Sequence, residues 1–198
     1  MEGSVSVDPA HVLSVIQGAL SADNAMRCRA EQLLRTWEAD AAPGFMASLL
    51  QIVQNSQAID EPTRLLAAVI AKNAVGSSWR KTLGSREWCR VGEEEKEGVR
   101  QAAASCMMND PSERVAVQLS LLIANIAQFD FPGRAPHLLE GLAAAAVWPA
   151  DLGEPPPPGK LRALKALRRV LISLSTKRFV VEPARGPAGQ SGILGGRR

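Results

Sequence analysis

Apolar residues return every three or four positions along this chain, and each such stretch opens on a residue that suits a helix start. Asp8-Pro9 begins the first, with Val12, Leu13, Ile16, Ala19 and Leu20 as its expected buried face. Asp23 caps the second, lined by Met26, Ala30, Leu33 and Trp37. Pro43-Gly44 starts the third, where Phe45, Met46, Leu49, Leu50, Ile52 and Val53 crowd one side and leave Ser48 and Gln51 on the other. In residues 60–79 Asp60 is a cap and Pro62 lies in the first turn. Leu65, Leu66, Val69, Ile70 and Asn73 then form one stripe. Asn73 in that stripe is expected to find a partner, because a buried unpaired amide costs roughly 1–3 kcal/mol.

Residues 93–97 hold four carboxylates, which a helix N-terminus favours, and Val99, Ala102, Ala103 and Cys106 follow as the inner side. Asp110-Pro111-Ser112-Glu113 reads as a capping box with Asp110 as the cap. The stripe Val115, Leu119, Leu122, Ile123 and Ile126 runs from it to Phe129. Pro136 starts a helix with Leu138, Leu139, Leu142 and Ala146 inside. Residues 149–159 read as a proline-rich linker. The last stripe is Leu161, Leu164, Leu167, Leu171 and Leu174. Residues 179–198 contain too little apolar material to fold and are expected to be a disordered tail.

Nowhere does the chain alternate apolar and polar residues over a useful length, so the predicted class is all-α. The longer stripes begin near Pro62, Pro111 and Gly159, and each of the first two is followed by a second helix. A helix pair recurring at close to this period predicts a HEAT-like α-solenoid of stacked antiparallel helix pairs, about three and a half repeats over residues 8–178.

Charge is divided unevenly. Residues 1–159 carry 13 Lys/Arg against 19 Asp/Glu, while residues 160–178 carry 7 Lys/Arg and no acid. The basic balance therefore belongs to the C-terminal end alone, and an acidic body repels nucleic acid and anionic lipid. Three scattered cysteines, Cys28, Cys89 and Cys106, argue against a disulfide framework and for a reducing compartment. His11 and His137 are not at metal spacing from them, so no metal site is expected. Cys28 lies between Arg27 and Arg29, yet sequence neighbours on a helix point apart, and a plain small-residue role is expected. The Gly-rich end of the chain lacks the lysine-serine of a phosphate loop. No signal peptide or spanning segment is readable, so a soluble intracellular protein without membrane insertion is expected. No enzyme and no cofactor is expected either.

Three segments carry a family resemblance. They are AEQLLRTW with the following PGF, RLLAAVIAKNAV with SSWRK, and DPSERVAVQLSLLIANIAQFDFP, joined by EEEKEGVR and RALKALRRVLISLSTKR. In this order they resemble the N-terminal domain of the importin-β (karyopherin-β) superfamily over roughly residues 10–178. Ala135-Pro136 stands where the family often has Trp-Pro. The resemblance implies nuclear transport between nucleus and cytoplasm: binding of the GTP form of the small GTPase Ran, of import cargo and of nuclear pore proteins. It also implies that the second helix of each pair lines the partner-facing surface. On this reading the candidate contacts are Ser48, Gln51, Glu97, Arg100, Gln101 and Glu140, and the chain is a truncated form.

Two rival readings remain. A HEAT scaffold for another protein partner has the same sequence pattern. A nucleic-acid binder would use Lys160, Arg162, Lys165, Arg168, Arg169, Lys177 and Arg178, but no aromatic residue stands among them for base stacking. No nucleic-acid partner is therefore expected.

Overall fold

The structure is a computed structural model that describes residues 6–79, 91–149 and 155–176. The expected tail at 179–198, together with Trp88 and Cys89, lies outside the described residues. Every regular element among them is helical: α1 (Pro9–Ala19), α2 (Asn24–Ala39), α3 (Phe45–Gln54), α4 (Glu61–Ser78), α5 (Glu93–Asn109), α6 (Glu113–Asp130), α7 (Leu138–Ala146) and α8 (Pro158–Ser175).

Local chemistry sets most of the starts. Asp8, Asp23 and Asp60 are N-caps whose carboxylates accept from the N–H groups of Ala10, Ala25 and Thr63. α3 has no cap of its own, because Gly44 occupies the position with φ of 80°, a left-handed conformation that glycine adopts without strain. Glu95 of α5 supplies the missing acceptor and takes the N–H groups of Gly44 (3.1 Å) and Ala47 (2.9 Å). The start of α6 differs from the expected box. Its cap is Ser112, whose Oγ accepts from Val115 N, and Asp110 is instead the C-cap of α5. α8 takes Pro158 and Gly159 from the stretch read as linker. At Gly159 a Cβ would lie 3.1 Å from the carbonyl oxygen of Met108, so a side chain would separate α8 from the end of α5.

Consecutive helices pair as α1 with α2, α3 with α4, α5 with α6, and α7 with α8, while α4 and α5 touch little or not at all. The described residues thus form four pairs, the last with a first helix of only nine residues. The repeat phase is shifted by one helix from the expectation. The helices starting near Pro62, Pro111 and Gly159 are second members of their pairs, not first. Successive pairs stack through α1, α3 and α5 on one layer and α2, α4, α6 and α8 on the other, as an α-solenoid does.

One apolar core runs through the stack. The stripes expected for α3 and α6 are fully inside, including Leu49, Val53, Leu119 and Leu122. α4 and α8 differ. In α4 the buried side is Ala67, Ala68, Ala71, Ala74 and Val75, while Leu65, Leu66, Val69 and Ile70 flank it half-buried and Asn73 is exposed. In α8 it is Arg162, Ala163, Ala166 and Val170. Leu167 and Leu174 border that face, and Leu164 and Leu171 are half in water. Small residues occupy the centre because these helices are packed on more than one side, against α3 and α6 or α6 and α7, which demands close approach.

Buried polar groups tie the pairs together. Asp110 accepts from Arg64 Nη1 and from the N–H of Ser112 (2.7 Å), while its carbonyl accepts from Arg162 Nη1. Glu113 accepts from Arg162 Nε (2.8 Å) and Lys165 Nζ (3.0 Å).

Three outcomes follow from this packing. Asp110→Ala strands the buried Arg64 guanidinium and should cost roughly 3–5 kcal/mol in urea denaturation. Val170→Ala should cost about 1–2 kcal/mol through two buried methyl groups, whereas Leu171→Ala should stay within about 0.5 kcal/mol. Hydrogen bonds from Arg162 and then Lys165 hold the Glu113 carboxyl below its usual 4.5. A depressed carboxyl stabilises the fold above its unfolded value and loses that contribution as pH falls through the folded one. Hydrogen-exchange protection factors in α8, taken against the intrinsic rate at each pH, should therefore fall below about pH 4.5, and Glu113→Gln should remove that component.

Candidate partner-binding surface

The six residues proposed from sequence stand on α3, α5 and α7, which are the first helices of their pairs. The expectation that they line the second helices is corrected by the pairing pattern. Ser48 is buried and its hydroxyl donates to the carbonyl of Gly44 (2.8 Å), so it is part of the core. Gln51 is exposed one turn away. Glu97, Arg100 and Gln101 do come together on α5. Glu97 accepts from Gln101 Nε2 (2.9 Å) and Arg100 Nη1 (2.8 Å), and these bonds hold its carboxyl below the usual range. Glu140 is exposed beside His137 Nδ1 at 3.2 Å.

Arg100 is committed inward as well. Its Nε donates to Asp130 (2.9 Å), a carboxylate that also accepts from the indole N–H of Trp79 (3.0 Å). Burial works against the Arg100 charge, and the bonds to Asp130 and Glu97 outweigh it, so the pKa rises. Trp79 is almost fully buried, with the Arg100 guanidinium 5.7 Å and Lys96 Nζ 5.6 Å from its ring. Lys96 is itself buried and reaches Glu93 (2.9 Å), which Arg134 also reaches (2.7 Å). Sequence reading missed Lys96 and Asp130 in this cluster. The one available signal was a carboxylate between two aromatic residues, Phe129 and Phe131, at a helix end.

The other layer offers a different surface. Two adjoining cavities of about 330 and 350 Å³ run between α4, the start of α6 and the turn after α1. They share Leu65, Val69 and Arg114, with Leu20 at one end and Val117 and Gln118 at the other. Polar side chains bridge the helices along this layer: Lys72 Nζ to Gln118 (3.3 Å), Asn125 to the carbonyl of Lys72 (3.3 Å), and Gln128 to Ser173 (2.6 Å). The half-buried leucines and valines of α4 are therefore the apolar part of this surface.

Much of the basic stretch on α8 is spent inside the fold. Arg162 and Lys165 hold Glu113, and Arg169 donates to Ser120 (2.6 Å). Lys177 and Arg178 lie outside the described residues. Cys28 is exposed, while Cys106 is buried and burial raises its thiol pKa against a bond from Gln54. Among the described residues no three His, Cys, Asp or Glu side chains are placed to hold a metal ion, and no helix is long and apolar enough to cross a membrane.

Residues 30–109, from within α2 to the end of α5, match the family model described as the Importin-beta N-terminal domain. Those residues belong to the importin-β N-terminal domain family. Over 171 residues the chain is 32% identical to Importin-11 of Mus musculus and of Homo sapiens, covering 86% of this chain and 16% of each relative. It is 29% identical over 125 residues to Exportin-2 of Drosophila melanogaster, covering 63% of the chain and 12% of that protein. The chain thus spans about a sixth of the length of the Importin-11 relatives. Among solved structures the fold is similar to Kap95p in a structure describing its effect on the switch loops of RanGDP, with a TM-score of 0.68 at 22% identity over 84% of this chain and 19% of that one. It is also similar to the exportin Cse1 in its cargo-free, cytoplasmic state, with a TM-score of 0.62 at 24% identity over 85% of this chain and 16% of that one. These structural likenesses establish the α-solenoid architecture.

Within that domain the Trp79 cluster is a stability element. Trp79→Phe should cost about 1–3 kcal/mol in urea denaturation by leaving Asp130 short of a donor. Glu97→Gln, on the open side of the same cluster, should leave the urea midpoint essentially unchanged, because an exposed ion pair contributes little.

Proposed function

We propose that this chain is the N-terminal region of a nuclear transport receptor that grips the GTP form of the small GTPase Ran through its second-helix layer. The observation that carries this reading is the joined pair of cavities across α4 and α6, where Leu65, Val69 and Val117 are presented beside Glu113, Arg114 and Gln118. An apolar strip with a polar rim is the usual anatomy of a protein-binding patch. Support comes from the importin and exportin relatives and from the likeness to Kap95p, whose binding is described as changing RanGDP. A second likeness, to Kap95 in a complex with Nup1 (TM-score 0.64, 19% identity, 84% of this chain and 21% of that one), extends the proposed partners to nuclear pore proteins. Import cargo completes the set, with shuttling between nucleus and cytoplasm. The reading assigns residues 8–178 to one repeat domain that binds and does not catalyse, with 179–198 outside it.

Pull-down with GTP-loaded and GDP-loaded Ran tests this directly. GTP-loaded Ran should be retained preferentially. Val69→Lys should weaken retention about tenfold or more, on the scale of a central interface residue, with circular dichroism unchanged. Reversal of Glu97 or Glu140 on the first-helix layer should have a smaller effect. Equal retention of both nucleotide forms, or none at high protein concentration, would favour a HEAT scaffold for a different protein.

A further inference from the structure

The two ends of the stack meet water differently. Beyond its first turn α2 presents Arg29, Gln32, Arg35 and Thr36 to solvent and no large apolar residue, as the outer face of a terminal repeat does. α8, the last of the described helices, does the opposite. Its inner side, Arg162, Ala163, Ala166 and Val170, packs on α5, α6 and α7. On the outer side Leu161, Leu164, Leu171 and Ile172 are between 41% and 53% exposed, and they are four of the seven exposed large hydrophobics among the described residues. At 3.6 residues per turn the four fall within roughly 100° of the helix surface. Single exposed leucines are ordinary, whereas a contiguous apolar face with a polar rim marks an interaction surface.

The polar residues of this face are cations. On the same helical wheel Arg168 stands inside the apolar arc, with Lys160 at one edge and Lys165 and Arg169 at the other. Glu113 pairs with Lys165 and with the inward Arg162, while Arg169 bonds the neutral hydroxyl of Ser120. Lys160, Arg168 and Arg169 have no carboxylate partner among the described residues, and α8 itself contains no acid.

An occupant must therefore bring apolar and acidic groups in one strip. A second copy of α8 would set cations against cations, and α2 of another copy would offer Arg29 and Arg35. The chain's own residues 177–198 hold five Lys/Arg and a single acid, Glu182. An anionic lipid surface matches the charge of α8 but is repelled by residues 1–159, with 13 Lys/Arg against 19 Asp/Glu. We propose that the outer face of α8 docks an acidic amphipathic helix of a partner protein. Its apolar stripe covers Leu161, Leu164, Leu171 and Ile172, and its flanking carboxylates meet Arg168 and the cations at the edges. The apolar contact supplies the affinity and the cations select the sign of the partner. This face is at the end of the stack, apart from the α4 strip, and does not rest on the transport reading.

The test uses the full chain and two capped helical peptides as long as α8. One carries a leucine stripe flanked by glutamates, and the other has lysine for each glutamate. Fluorescence anisotropy should show saturable binding of the glutamate peptide, and the lysine peptide should bind about tenfold more weakly or worse. Leu164→Ser should weaken the glutamate peptide about tenfold. Arg168→Glu should weaken it about fivefold and strengthen the lysine peptide, a reversal that loss of apolar surface does not produce. Both residues are exposed, so the circular dichroism of these variants should match the parent. Val69→Lys should leave peptide binding unchanged, so this result and the Ran pull-down succeed or fail separately. Equal binding of the two peptides, absence of saturable binding, or binding indifferent to Leu164→Ser would each overturn the proposal. So would self-association of the chain, or its binding to phosphatidylserine-containing vesicles, if Leu164→Ser abolished it.

Discussion

Asp110 is buried between three helix pairs, and the order of the stack depends on it. Arg64 reaches it from the second pair, it ends the first helix of the third pair, and Arg162 reaches its carbonyl from the fourth. Taking these charges out of water is expensive, and an apolar replacement of the same shape could be as stable. What charges provide that an oily contact does not is direction: a guanidinium docked on one carboxylate cannot slide by a helical turn without stranding both groups. Glu113 with Arg162 and Lys165, and Glu95 with the start of α3, repeat this fixing at other junctions.

With register held by polar contacts, the apolar residues are free to divide into two roles. α4 and α8 are wedged between neighbours, and only Ala67, Ala71, Ala163 and Ala166 are small enough for the centre of those contacts. The larger residues, Leu65, Val69, Leu164 and Leu171, are pushed to the flanks and remain partly in water. On α4 this displacement creates the apolar strip assigned to a protein partner. On α8 it leaves Leu164 and Leu171 exposed beside Arg168. Both candidate surfaces are therefore by-products of how small residues are used in packing.

The likeness to importins and exportins fits a chain built this way. Stacked pairs expose two long layers, and each can serve a separate partner without a conformational conflict. The Trp79, Lys96, Arg100 and Asp130 cluster holds the end of α4 against α5 and α6, so the two layers are joined by more than their connecting loops.

What the sequence determined by itself is local or carried by strong periodicity. Asp8, Asp23 and Asp60 name their helix starts, because a cap bonds within three residues of itself. The stripes of α3 and α6 name their buried faces, because large aliphatics crowd one side with no competing small-residue face. The family was also readable, since the order of several helix sequences is more specific than any one of them. Tertiary structure decided the rest. Whether the helix at Pro62 is first or second in its pair depends on which neighbour it touches, and periodicity is blind to that. The same ignorance assigned Ser48, Glu97 and Glu140 to second helices, where the pairing puts them on first ones, and Asn73 to a buried stripe, where it is exposed. Asp110 looked like a cap from its neighbours, yet Arg64 and Arg162, 46 and 52 residues away, turned it into the buried junction of three pairs.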